Sequence, residues 1–150
     1  MTEFRPVAGV GLVRLYVLRA MYAVLAFAQG SKTWPAIFHP THPWDFWNGV
    51  GLSFFGALTA LSLLGIRYPL RMLPLLLFEF AWKLIWALAV WLPALLNHSL
   101  TRDVADNAIG ILLGPVVLAI LLPWGYIWKE YVVAPGDRWQ ARETAPNRGA

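Results

Sequence analysis

Along the chain, hydrophobic positions gather into four long runs, at 10–29, 46–66, 71–91 and 104–128, separated by short polar or proline-bearing stretches. The two-residue alternation that marks strands of a membrane barrel does not occur in them. Each run matches the roughly 20 residues that a helix needs to cross about 30 Å of hydrocarbon. A helix pairs its backbone amides within one segment, as a bilayer demands. The pattern predicts an all-α fold, an integral membrane four-helix bundle, as one transmembrane domain over 10–128. Short tails flank it at 1–9 and 129–150. The end of the second tail, GDRWQARETAPNRGA, is polar, basic and rich in Pro and Gly, which predicts a mobile segment.

Proline and glycine punctuate these runs. Pro35, Pro40 and Pro43 predict a non-helical first outer loop, and Pro69 falls in the short second loop. Pro74 belongs to the first turn of the third helix, where a missing N–H costs little. Pro93 is expected to end that helix. Pro115 lies inside the fourth helix, where it frees the carbonyl of Ile111 and predicts a kink beside Gly110 and Gly114. Gly110-x-x-x-Gly114 and Gly56-x-x-x-Ala60 match the small-residue pattern of close helix contact, read here as packing within one bundle.

The polar positions inside the runs change the picture most. Arg14 and Arg19 interrupt the first run, Glu79 and Lys83 sit within the third, and Asp106 and Asn107 open the fourth. At 3.6 residues per turn, Glu79 and Lys83 lie about 40° apart on one helix face, in the favourable Glu-before-Lys order. Trp82 and Trp86 flank them, and Met72 and Leu75 continue the stripe. A charge at the bilayer centre costs about 2.5–3.5 kcal/mol on insertion scales, which drives this face inward. Depth suggests partners: Arg19 and Glu79 both lie roughly 10–12 Å into helices running the same way. An Arg19–Glu79 bridge and a reach of Lys83 towards Asp106 or Asn107 are therefore expected, with Lys83 between two indoles. The structural reading is an ion pair that selects helix neighbours; the functional reading is a site for a small ligand, a proton or an ion.

Composition agrees with lipid as the solvent. Of 150 residues, 59% are hydrophobic and 13% charged, against about 25% charged in soluble domains, and mean hydropathy is +0.56. Nine tryptophans suit the two membrane–water interfaces. The absence of Cys removes disulfides, thiolate zinc sites, iron–sulfur clusters and thiol redox chemistry. The net charge of +4 is spread rather than clustered, so no nucleic-acid partner is expected. Arg5, Arg14, Arg19, Arg67, Arg71, Lys129, Arg138, Arg142 and Arg148 fall on one predicted side, and only Lys32 and Arg102 on the other. Positive loops stay in the cytoplasm, so both termini are expected there. Ala26-Phe27-Ala28 resembles a signal-peptide cleavage site, but Arg14 and Arg19 leave only a short apolar core before it, and a retained first helix is expected.

Other chemistry is sparse. His39, His42 and Asp45, with His98 and the acidic Asp103 and Asp106 on the same predicted side, are the ligand types for a divalent metal. Pro40 separates the two loop histidines and denies them helical spacing. An aromatic belt of Trp34, Trp44 and Trp47 accounts for the same stretch, and no metal or cofactor is expected. Neither a Ser–His–Asp set nor a phosphate-binding glycine loop is present, which leaves no nucleophilic or phosphoryl chemistry.

The stretch GIRYPLRMLPLLLFEFAWKLIW (65–86), with Leu122, Pro123, Trp124, Tyr126, Trp128 and Tyr131 later, resembles a group of uncharacterised bacterial four-pass membrane proteins. The first two helices more distantly resemble DoxX-like proteins. They share an Arg-bearing first helix, an outer loop containing Gly, Trp and Pro, and a second helix ending Leu64-Gly65-Ile66-Arg67. The resemblance implies a bacterial inner-membrane location and carries no role over to any residue. The expected function is that of a non-enzymatic accessory or small-amphiphile-binding bundle, with lipid, a partner membrane subunit or a second copy as partners. Arg19, Glu79, Trp82, Lys83, Trp86, Asp106 and Asn107 are its candidate binding residues. The alternative is a small proton-coupled transporter with Glu79 as the titrating group and Gly110, Gly114 and Pro115 as the moving element. A membrane enzyme acting on lipid or quinone is a third class.

Overall fold

A computed structural model describes residues 10–136. Every regular element among them is helical. Four helices are long and apolar enough to cross a membrane: α1 (Leu12–Phe38), α2 (Phe46–Arg67), α3 (Leu73–Leu96) and α4 (Arg102–Leu121). A short α5 (Trp124–Ile127) follows. Turns of π type occur at Val24–Gln29 inside α1, Ala87–Trp91 inside α3 and Trp128–Val133 after α5.

Proline positions account for most differences from the predicted boundaries. Helix α1 runs nine residues past the expected end at 29 and carries Pro35 within it. Its extension packs on α2, where Gly56 leaves room for Ile37 and Trp34. That packing outweighs the one backbone bond that a proline removes. Helix α3 likewise passes Pro93, expected to be its end, and stops at Leu96. The Leu92 N–H reaches back five residues to the Ala87 carbonyl. This wider turn eases the helix just where the proline ring follows it. Conversely, α4 stops at Leu121 rather than 128, because Leu122 precedes Pro123 and takes an extended conformation, φ −63° and ψ 138°. Residues 129–133, expected in the tail, belong to the last π turn. The tail readings for 1–9 and 137–150 lie outside the described residues. Helix α4 continues unbroken through the buried Pro115.

Helix α1 lies along α2, and α4 lies along α3. Lighter contacts of α3 with α2 and of α1 with α4 close the bundle. Its tight core sits at the end that holds the 68–72 loop: Leu18 and Tyr22 from α1, Leu73 and Leu76 from α3, and Leu118, Leu122 and Ile127. Tyr22 fastens this end. Its hydroxyl donates to the Pro69 carbonyl at 3.1 Å, and its ring lies against Gly65, where any Cβ would overlap it. Buried hydroxyls in the helices bond to their own backbone, Ser62 to Leu58 at 2.8 Å and Thr59 to Gly56 at 2.9 Å. The outside is apolar, with Ile109 79%, Val13 78% and Ile120 70% exposed. Such a surface suits hydrocarbon.

Candidate functional site

Beyond the tight core the helices separate, and the polar stripe of α3 comes to line a cavity. Glu79 lies six residues and Lys83 ten residues beyond Leu73, about 9 and 15 Å along the axis. Glu79 is 3% exposed. Its Oε1 lies 2.8 Å from Lys83 Nζ, and its Oε2 accepts from Trp82 Nε1 at 2.6 Å. Both partners come from the same helix, one turn on, so local sequence builds the arrangement. The Lys83 ammonium also lies 5.5 Å from the centre of the Trp82 ring, a favourable place for a desolvated cation.

The lysine stem needs space, and α4 supplies it. A Cβ on Gly114 would come within 2.7 Å of Lys83 Cδ and Nζ. The glycine is the seat of the lysine. Around this pair Met21, Val24 and Leu25 of α1 and Gly110, Leu113 and Val117 of α4 line a half-open cavity of about 320 Å³. A second apolar crevice of about 310 Å³ opens between α2 and α3, lined by Phe54, Phe55, Leu58, Phe78 and Trp82. The indole thus lines this crevice while its N–H holds the carboxylate.

Several expected partners are not brought together. Arg19 does not reach Glu79; its Nε donates to the Ile66 carbonyl at 3.2 Å and its guanidinium lies over Tyr16. The carbonyl is nearer, and using it lets the arginine stay towards the helix end, where its charge is cheaper. Asp106 and Asn107 are exposed at the opposite end, with Asn107 Nδ2 bonded to the Asp103 carbonyl at 2.8 Å. Lys83 satisfies its charge on Glu79 without extending to them. Trp86 is half-buried, and the ammonium stacks on Trp82 rather than between two indoles.

The loop between α1 and α2 is equally local. Asp45 caps α2, accepting from the Asn48 backbone N–H at 2.9 Å and from Asn48 Nδ2 at 2.6 Å. That backbone N–H holds its carboxyl below the usual carboxylate range. His39 and His42 border an open hollow of about 520 Å³ with Trp44. His98 lies in the turn between α3 and α4, at φ 52°. No three His, Asp or Glu side chains converge among the described residues.

Sequence reasoning missed the contributions of α1 and the role of Gly114. The signal for the glycine was present in the Gly110-x-x-x-Gly114 spacing, but it was read as helix against helix. In space the two differ, since a Cβ on Gly110 meets nothing within 4 Å. Compared with known protein families, characterised proteins and solved structures, the chain shows no match.

Proposed function

We propose that the chain is a multi-pass membrane protein, non-enzymatic in action, that binds a small amphiphile in the cavity between α1, α3 and α4. The observation that carries this reading is the Lys83 ammonium at the wall of an apolar cavity. An ammonium offers three donors, and among the described residues Glu79 is the one acceptor on it. A head group bearing a carbonyl or carboxylate oxygen suits the remaining donors. The apolar side chains from α1 and α4 suit its tail. The volume lies at the lower end of ligand cavities, about 300–1,000 Å³. The same proposal places the protein in a bacterial inner membrane with both termini in the cytoplasm, on the strength of its arginine distribution and family resemblance.

The test is native mass spectrometry of the full chain released from mild detergent, with decanoic acid as the added probe. Gly110→Leu adds a side chain to the cavity lining at a position where the new Cβ meets nothing within 4 Å, and leucine favours the helix over glycine. We expect a folded chain that no longer retains the probe, and weakened retention when Lys83→Met is combined with Glu79→Met, which removes the ammonium and leaves no uncompensated charge. Wild-type retention in both variants would overturn the reading.

A second reading, proton-coupled transport through Glu79, draws on the burial of that carboxylate within α3, about 9 Å along the axis from Leu73. A transporting Glu79 would release both Lys83 and Trp82 in every cycle. This reading predicts that Glu79→Gln abolishes proton-linked flux in vesicles while the chain stays folded.

A further inference from the structure

Three arginines meet at the opposite end of the bundle from the outer loop, and no step of amphiphile binding uses them. Arg67 closes α2, Arg71 precedes α3, and Arg19 reaches across from α1. With Tyr68 and the apolar Leu15 and Leu70 they line a hollow of about 210 Å³. The hollow is built on a pinned loop. The Tyr22 hydroxyl holds the Pro69 carbonyl, and Arg19 Nε holds the Ile66 carbonyl. Tyr68 lies within 5.5 Å of the Arg67 guanidinium carbon and 5.9 Å of that of Arg71, measured to the ring centre, which keeps both side chains near the loop. Arg19 spends one donor of its five on the carbonyl and retains its terminal fork.

The charge of this cluster is uncompensated within the described chain. The Lys83–Glu79 bridge is the one ion pair among the described residues, so no carboxylate there lies within 4 Å of any of the three guanidiniums. Arg67 and Arg71 stand at the ends of membrane-length helices and Arg19 reaches from within α1 to the Ile66 carbonyl at the same end, which puts the cluster towards head-group depth, beside apolar side chains that match the start of an acyl chain. Guanidinium forks suit phosphate oxygens in particular, and basic pockets between membrane helices take anionic head groups.

We propose that Arg19, Arg67 and Arg71 form a binding site for the phosphate of an anionic phospholipid in the leaflet that faces the 68–72 loop. The site is separate from the cavity at Lys83 and stands whether or not that cavity takes a ligand.

Native mass spectrometry of the full chain, titrated separately with phosphatidylglycerol, phosphatidylcholine and inorganic phosphate, tests it. Phosphatidylglycerol should be retained in preference to phosphatidylcholine. Each arginine near the surface contributes about fivefold in affinity, so Arg67→Gln with Arg71→Gln should weaken retention about 25-fold. Arg102→Gln, at the far end of the bundle, should leave it unchanged. Should the double variant not fold, Arg71→Gln alone, at an exposed position, carries the test with about a fivefold loss. Equal retention of the two lipids, undiminished retention in the variants, or displacement of the lipid by equimolar inorganic phosphate would each overturn the proposal.

Discussion

At the residue scale the chemistry centres on Lys83. Removing one member of a buried ion pair leaves the other uncompensated, which costs about 3–5 kcal/mol, whereas replacing both by apolar side chains of similar volume is often neutral or better. Glu79→Met alone should therefore lower the yield of folded chain sharply. Glu79→Met combined with Lys83→Met should restore it, as measured by monodispersity in detergent and by thermal unfolding. If the double variant is as unstable as the single one, the pair does more for the fold than neutralise itself. This pair was legible in the sequence because i,i+4 spacing on a helix brings side chains together without help from the rest of the chain. The Arg19–Glu79 bridge was misread for the converse reason. Equal depth along two helices says nothing of their rotation, and a carbonyl nearby competes for the same donor.

Elements show how packing and proline compete. Pro35 and Pro93 are crossed by helices, whereas Pro123 stops one. The residue type alone does not separate these outcomes. What separates them is the neighbourhood: Gly56 of α2 receives the turn around Pro35, a π turn precedes Pro93, and Leu122 before Pro123 is buried in the core in an extended conformation. The best-fixed join between elements is Tyr22 against Gly65 and Pro69. Tyr22→Phe keeps the ring and loses one buried hydrogen bond, so a loss of about 1 kcal/mol is expected in thermal unfolding. Gly65→Ala forces the ring away and should be much worse, because backbone and a fully buried ring cannot both yield. A Gly65→Ala chain as stable as the wild type would mean that α1 and α2 do not approach so closely.

Among the described residues the molecule presents a largely apolar exterior, with its charged groups gathered towards its ends and in one internal stripe. Helices joined by three short connections alternate in direction, which puts the 68–72 loop and the α3–α4 turn at opposite ends. Because the chain has no Cys, single cysteines can report on this directly. In intact bacterial cells an impermeant maleimide should label Ser99→Cys, in the α3–α4 turn. It should label Tyr68→Cys only after permeabilisation. The reverse pattern would invert the orientation read from the arginines.

Legible from residue order alone are the number and the length of the apolar rods. Four apolar runs of membrane length, interrupted by few charges, allow little besides four helices. The order Glu79, Trp82, Lys83 also settles its own hydrogen bonding within one turn. What surrounds that turn emerged only from the packing of the four helices. That packing brought Gly114 under the lysine stem, α1 and α4 around a cavity beside it, and three arginines from two loop ends and α1 to one hollow. Periodicity reports which face of a helix is apolar, but helix rotation and separation follow from side-chain volumes meeting across helices. Those meetings involve residues far apart in the chain, where spacing carries no signal.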